Sequence, residues 1–169
     1  DEIGLAVAAQ SAALVPADGA LYALRDATAT VPAIPLIATS VMSKKLAVGT
    51  DLILLDVKAG SGAFMKTVRE ATDLAHTCVA LAERRGRAVR AAVTDMSQPL
   101  GDAIGNALDV REAIEVLRGE RRGRLRDLAV TFAAEALARL TAVSREEGLA
   151  RAERALDAGE ALESFRHMV

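Results

Sequence analysis

The sequence has few aromatic residues and a single cysteine. Aromatic residues make up 2% of the 169 residues although 51% are hydrophobic, so Ala, Leu, Val and Ile have to form the core. Cys78 cannot form a disulfide within the chain, and a lone thiol is typical of a reducing compartment, for which we expect the cytoplasm. The sequence also lacks an apolar run near the roughly 20 residues that a membrane span requires.

The positive and negative charges nearly balance, which argues against nucleic-acid and membrane partners. The chain has 21 Lys and Arg against 23 Asp and Glu, a formal net charge of -2. We therefore expect neither nucleic acid nor a membrane surface as a partner. The chain has no initiator Met, and residues 3–13 already form an apolar stretch that predicts a buried strand. We interpret this start as that of a fragment or a processed product.

Strand-like and helix-like segments alternate along the chain. Pro35 fits the first turn of a helix that ends near Gly49. The continuous apolar run DLILLDVKAG is typical of a parallel strand covered on both faces. The predicted strands are residues 3–13, 51–60 and 87–96, and the predicted helices cover residues 35–48, 68–85, 110–119 and 125–140. Residues 21–30 are predicted to form a helix or a turn, and residues 145–168 are predicted to form one amphipathic helix or a pair.

This order of elements predicts an α/β fold. Parallel strands joined by helices give a largely parallel sheet flanked by helices, with a helical C-terminal part. We interpret residues 1–169 as a single α/β domain. Three pairs predict capped helix starts with the capping-box spacing: Thr67 with Glu70, Asp109 with Glu112, and Ser144 with Glu147. For Val68, Ala71, Ala75, Cys78, Val79 and Ala82 we predict the buried stripe of one helix.

Polar groups interrupt the apolar helix that starts at Pro35. Ile37, Ser40 and Lys44 are spaced i, i+3 and i+7, so they share one face. With Arg25 upstream, this face offers a hydroxyl, an ammonium and a guanidinium, which suit a small ligand with carbonyl oxygens, above all one that becomes anionic. The alternative is a surface on which Lys44 and Lys45 stabilise the C-terminal half of the helix through its dipole.

Several blocks of the sequence resemble the thymidine and pyrimidine-nucleoside phosphorylases. They occur in the family's order along essentially the whole chain. The matching blocks are RDATATV at 25–31, PLI at 35–37 with Ser40 and SKK at 43–45, DVK at 56–58 with GSGAFM at 60–65, and TDM at 94–96 with QPLG at 98–101 and GNA at 105–107.

The resemblance implies a pentosyltransferase that splits a pyrimidine nucleoside with phosphate into free base and (deoxy)ribose 1-phosphate. By resemblance, Arg25 and Lys44 bind O4 of the base and Ser40 hydrogen-bonds N3. The further pocket residues implied are Tyr22, Val31, Ile37 and Phe64. Positive charge at a carbonyl oxygen of the departing base stabilises the transition state more than the ground state.

The resemblance also implies features of the enzyme outside the base-binding residues. A potassium ion would be held through Leu100, Ala103 and Glu112, although Glu112 has the alternative role of completing a helix cap with Asp109. The family's phosphate-site motifs and its N-terminal all-helical lobe are missing from this sequence. We therefore expect the fragment alone to be inactive and the full-length protein to be a homodimer, with phosphate as co-substrate and no other required cofactor.

Two alternatives stay open. A related enzyme of the same architecture, such as anthranilate phosphoribosyltransferase or a nucleotide phosphorylase, would show its own diphosphate-binding glycine motif or a different base-binding set. A truncated product that retains the fold would act only as a binding module.

Overall fold

A computed structural model describes residues 4–7, 11 and 13–169 of the chain. The contacts divide the chain into two compact units. The first, here called the strand unit, comprises residues 9–98, and the second, the helical unit, comprises residues 99–169 with residues 1–8. The single-domain organisation stays a prediction.

The strand unit contains a parallel two-stranded sheet with helices packed against it. Its elements are α1 (Pro16–Ala27), α2 (Ile34–Val48), β1 (Leu52–Ala59), α3 (Val68–Glu83) and β2 (Ala88–Asp95). β1 and β2 pair in parallel, from Leu52 opposite Ala88 to Ala59 opposite Asp95, and α3 makes the connection between them. The predicted α/β class and both strands after Gly49 are confirmed.

One face of β1 forms the centre of this unit's core. Ile53, Leu55, Val57 and Ala59 alternate along the strand and are buried, whereas the opposite face is only partly covered. The remaining members of this core are Ala38, Met42, Met65, Ala71, Leu74, Ala75, Cys78, Ala82 and Val89. The predicted α3 stripe is therefore largely right, but Val68 is wrong because it lies 68% exposed on the first turn.

Local signals determine where the helices of the strand unit begin and end. Pro35 lies in the first turn of α2, and Gly49 ends the helix with φ 76°, a left-handed conformation that glycine adopts without strain. The capping box of α3 is confirmed. Glu70 N–H donates to the Thr67 hydroxyl at 3.2 Å, and Thr67 N–H donates to the Glu70 carboxylate at 3.0 Å.

The helical unit confirms the predicted helical C-terminal part. Its helices are α4 (Asn106–Leu117), α5 (Arg124–Leu140), α6 (Arg145–Asp157) and α7 (Glu160–Met168). Val130, Ala152 and Leu156 form its buried cluster. No helix in the described part of the chain has the length and apolar character needed to cross a membrane.

Three local predictions need correction or lie outside the structure. Residues 4–7 form no strand, and most of the remaining predicted strand 3–13 falls outside the described residues. Asp109 does not cap α4, because this helix begins earlier, at Asn106 after Gly105. The Ser144 cap is confirmed, because the Glu147 N–H donates to the Ser144 hydroxyl at 3.1 Å. The Glu147 carboxylate instead accepts a hydrogen bond from Arg151 at 2.9 Å, where a full capping box would have it accept the Ser144 N–H.

Candidate functional site

Helix α1 presents three polar side chains along one face. Asp18, Tyr22 and Arg25 are spaced i, i+4 and i+7, and their side chains therefore lie above one another. Asp18 and Arg25 are only 7% and 6% exposed, whereas Tyr22 is half exposed. Buried charges are costly unless they are paired, so both residues need partners close by.

The partners of Asp18 lie on α2. The Ser40 hydroxyl donates to one carboxylate oxygen, Oδ2, at 3.1 Å, and the Lys44 ammonium contacts the same oxygen. Lys44 also donates to the hydroxyl oxygen of Ser40 at 3.1 Å and to its backbone carbonyl at 3.0 Å. Ser40 and Lys44 are one helical turn apart, so both can reach a single carboxylate on the neighbouring helix.

Arg25 closes the turn between the two helices. Its guanidinium donates to the backbone carbonyl of Leu36 at 3.3 Å and to that of Val31, and its Cζ lies 5.2 Å from the centre of the Tyr22 ring. Within the described part of the chain, its Nε finds no hydrogen-bond partner. Arg25 therefore ties the segment before α2 to α1 and retains a buried donor group.

These groups form one electrostatic cluster, which we call the Asp18 cluster and define as Asp18, Arg25, Ser40 and Lys44. Burial raises the pKa of Asp18. Hydrogen bonds from Lys44 and Ser40, with the charges of Lys44 and Arg25, outweigh this effect and hold the pKa below its ordinary value. Asp18 is thus ionised at neutral pH, and two cations with one carboxylate give the cluster a net positive charge.

A cavity of about 510 Å³ lies in the strand unit beside the part of α2 that carries Ile37, Val41 and Lys45. Ile37 and Phe64, both predicted pocket residues, line it, and Phe64 is 72% exposed. The other lining residues are Val41, Lys45, Leu54, Leu55, Asp56, Val57, Lys58, Gly62, Ala63, Met65, Leu74, Cys78 and Met96. Arg25, Ser40 and Lys44 are not among the lining residues, so Ile37 and the cluster occupy adjacent sides of α2.

Polar contacts join the two strands at this cavity. The Lys58 ammonium contacts the Asp56 carboxylate at 2.6 Å and donates to the Thr94 hydroxyl at 3.0 Å. Lys58 and Thr94 are direct neighbours in the parallel register. This ion pair lies on the partly covered face of β1, opposite the core.

In the helical unit, the predicted potassium ligands Leu100 and Ala103 lie in the loop before α4, and Glu112 binds this loop from the helix. Glu112 is 5% exposed, and its carboxylate accepts the backbone N–H of Asp102 at 2.9 Å and that of Ala103 at 3.0 Å. A Cβ on Gly101 would collide with the same carboxylate. Glu112 therefore organises the loop before α4, and its predicted cap with Asp109 is wrong because Asp109 accepts the Gly105 N–H instead, at 3.2 Å.

Arg121 supports this carboxylate from the end of α4. Its guanidinium lies 3.2 Å from Glu112 and 2.9 Å from both Asp102 and Glu115. Backbone hydrogen bonds from the loop lower the pKa of Glu112, burial raises it, and the charge of Arg121 lowers it further. The net pKa is below the ordinary value.

Asp18 is the residue that the sequence reading missed. It lies seven residues before Arg25 and four before Tyr22, a spacing that places a carboxylate on the same helical face as two predicted site residues. A cation and a hydroxyl within an apolar helix also require a partner. The helical spacing and the need of these polar groups for a partner together identify Asp18.

Comparison with known proteins gives consistent matches along the chain. The glycosyl transferase family, a/b domain, matches residues 1–162. Pyrimidine-nucleoside phosphorylases of Staphylococcus aureus, from strains bovine RF122 / ET3-1 and USA300, are each 48% identical over 170 residues, which cover 100% of this chain and 39% of each relative. The chain thus spans 39% of the length of these relatives, and the resemblance read from the motifs is confirmed.

Proposed function

The chain belongs to the glycosyl transferase family, a/b domain, and on this premise we propose that it forms the base-binding part of a pyrimidine-nucleoside phosphorylase. The intact enzyme would cleave uridine or thymidine with phosphate and release the base and (deoxy)ribose 1-phosphate. The observation that carries this proposal is the Asp18 cluster, in which Ser40 and Lys44 share one buried carboxylate beside Arg25.

The charge of this cluster suits the proposed reaction. Cleavage of the glycosidic bond leaves an electron pair on the pyrimidine ring, and negative charge spreads to the ring carbonyl oxygens. Lys44 and Arg25 supply a net positive charge held in place by backbone and carboxylate contacts. Donors that are already oriented require little rearrangement as the charge develops, and this is how such groups lower a reaction barrier.

The apolar residues beside the cluster would hold the ring. Ile37 and Phe64 line the 510 Å³ cavity on the adjacent side of α2, and Val31 lies at the turn that Arg25 closes. Tyr22 continues the cluster's face of α1 and contacts Arg25. We propose that these four residues surround the base, because an apolar boundary that excludes water strengthens the adjacent charge contacts.

A potassium ion is part of the proposal, and the residues fit it. The Oε2 atom of Glu112 accepts one hydrogen bond, from Ala103 N–H, and a carboxylate oxygen offers two acceptor positions. Leu100 and Ala103 would add backbone carbonyl oxygens, which suit a hard cation. Thermal unfolding in KCl against NaCl at equal ionic strength tests this site. Potassium should raise the melting temperature of the wild type and leave Glu112→Gln unchanged, and equal shifts in both proteins would contradict it.

The proposal extends to the whole protein. We propose phosphate as the second substrate, a homodimer as the assembly and the cytoplasm as the location. Mass measurement in solution tests the assembly, since a monomeric intact protein would contradict it.

Phosphorolysis by the intact protein tests the proposed activity directly. Uridine and thymidine are incubated with and without phosphate, and base and sugar phosphate are quantified. Inosine serves as the purine control. Phosphate-dependent release of uracil or thymine, with far slower release of hypoxanthine, is expected. No release from either pyrimidine nucleoside, or release that does not depend on phosphate, would refute the proposal.

A further inference from the structure

We propose that Asp18 is a positioning residue that determines which pyrimidine edge the site accepts, by fixing the hydrogen-bond direction of Ser40. This inference rests on the proposed function and adds to it a residue and a chemical basis for selectivity. The site would select rings that present an N–H flanked by carbonyl oxygens, as uracil and thymine do, over rings that present an unprotonated nitrogen beside an amino group, as cytosine does.

The direction of the bond between Ser40 and Asp18 follows from the charge of the carboxylate. An ionised carboxylate can only accept hydrogen bonds. Because Asp18 is buried, paired with Lys44 and ionised at neutral pH, the single proton of the Ser40 hydroxyl has to point toward it across the 3.1 Å contact. Ser40 is therefore unable to donate that proton to a ligand.

The acceptor side of Ser40 is partly used as well. A hydroxyl oxygen has two acceptor positions. Lys44 donates to one of them at 3.1 Å, which leaves one for a ligand. Ser40 thus presents an acceptor and no donor, so it matches a ring N–H and mismatches a ring nitrogen that itself needs a donor.

The neighbouring cations impose the same preference. Arg25 is a donor without acceptor capacity and keeps an Nε–H with no partner among the described residues, so it suits a ring carbonyl oxygen and mismatches an exocyclic amino group. Lys44, whose three N–H bonds reach Asp18 and Ser40, adds positive charge and no acceptor. A site that offers donor and acceptor groups in one fixed order rejects a ligand with the reverse order, because each mismatch leaves buried polar groups unpaired. Asp18 maintains this order through Ser40, whose hydroxyl direction it determines, whereas Lys44 donates whichever partner it has.

Asp18→Asn in the intact protein tests the assignment with little change of shape. An amide can donate as well as accept, so the Ser40 hydroxyl is released to reorient. Rates of phosphorolysis are measured for uridine and cytidine, and the matched control is Asp26→Asn, an exposed aspartate one helix position beyond Arg25. The melting temperature of each variant is recorded. If Asp18→Asn does not fold, Asp18→Ser takes its place, because its hydroxyl can also donate and therefore likewise releases the Ser40 hydroxyl to reorient.

The expected result is a change in selectivity. Asp18→Asn should lower kcat/KM for uridine about tenfold or more and reduce the ratio of uridine to cytidine kcat/KM by at least about tenfold, while Asp26→Asn keeps both values. In a Ser40→Ala background the same substitution should leave the ratio unchanged, because the group that Asp18 orients is gone.

The outcomes separate this inference from the proposed function. If the wild type cleaves uridine with phosphate and Asp18→Asn slows uridine and cytidine by the same factor, Asp18 is merely structural and the inference is wrong while the function stands. The same holds if Ser40→Ala does not remove the effect on the ratio. A wild-type protein that cleaves neither uridine nor thymidine overturns both.

Discussion

Lys44 and Asp18 form an ion pair although 26 residues separate them in the chain. The pair joins α2 to α1 at a buried position, and Ser40 contacts the same carboxylate oxygen. Because this oxygen is shared, the orientation of the ammonium and that of the hydroxyl depend on each other. The proposed base-binding groups therefore behave as a unit and not as independent side chains.

Replacement of Lys44 should reduce turnover. In the intact protein, Lys44→Ala should lower kcat for thymidine and uridine about a hundredfold, the usual loss when one donor to a developing negative charge is removed. KM should change much less, because the charge develops only in the transition state. Steady-state kinetics measure both. Arg25→Ala should show the same pattern.

The matched control for Lys44 is Arg139→Ala. Arg139 also pairs with a carboxylate on a helix, Glu135 at 3.0 Å, but it is an exposed residue of the helical unit. This variant should keep wild-type turnover. Unchanged turnover in both Lys44→Ala and Arg25→Ala would contradict the assignment of these cations to the base.

Gly148 allows α5 and α6 to pack closely. A Cβ at Gly148 would lie 2.6 Å from the backbone carbonyl oxygen of Ala134, too near for either backbone to accommodate without movement. Gly148→Ala should therefore lower the free energy of unfolding by about 1–3 kcal/mol, the usual cost of an added methyl group in a packed region. Urea unfolding measures it.

Gly19 provides the opposite case. It lies within α1, is exposed, and has open space where a Cβ would be placed. Gly19→Ala should raise the free energy of unfolding by about 0.5–1 kcal/mol, since alanine loses less backbone entropy in a helix. If Gly148→Ala and Gly19→Ala changed the free energy of unfolding equally, the close packing of α5 and α6 would not be the reason for a glycine at position 148.

The capping box of α3 should contribute measurably to stability. Thr67→Ala removes the hydroxyl that accepts the Glu70 N–H, so the free energy of unfolding should fall by about 0.5–2 kcal/mol. Thr72→Ala in the same helix is the control. Its hydroxyl donates to the Val68 carbonyl within the helix, and alanine has the higher helix propensity, so little loss is expected. A larger loss at Thr72 than at Thr67 would contradict the assignment.

The contribution of Glu112 to stability should depend on pH. Its pKa is lower in the folded protein than in the unfolded chain, so the stabilisation is complete above the ordinary glutamate value of about 4.3. It is lost as the pH falls through the lower folded-state value, because the protonated carboxyl interacts more weakly with the loop N–H groups and Arg121. The amide introduced by Glu112→Gln does not titrate. The wild type should thus exceed this variant in unfolding free energy at pH 7, and the excess should shrink below about pH 4.

Glu115→Gln is the control for this measurement. Glu115 contacts the same Arg121 guanidinium at 2.9 Å from an adjacent turn of α4. Its substitution should give a smaller difference in unfolding free energy at pH 7, because Glu115 is more exposed and its partner is shared. A Glu112→Gln difference that is constant from pH 7 to pH 3 would refute the proposed role of the ionised carboxylate.

The sequence by itself determined the elements and their ends in most of the chain. Pro35 and Gly49 bound α2, Thr67 and Glu70 begin α3, and the apolar run after residue 51 forms β1. Each of these signals acts between residues that are close in sequence, through fixed dihedral angles, helix spacing or the alternation of a strand. Local rules of this kind are readable without a structure.

Only the tertiary structure decided which side chains meet. It paired Lys44 with Asp18, placed Ile37 on the cavity side of α2, and used Glu112 to bind the Asp102 and Ala103 amides in place of a cap with Asp109. Val68 likewise fits the apolar stripe and lies exposed. Such outcomes depend on how helices pack across long stretches of chain, and a buried charge selects whichever partner that packing brings within reach.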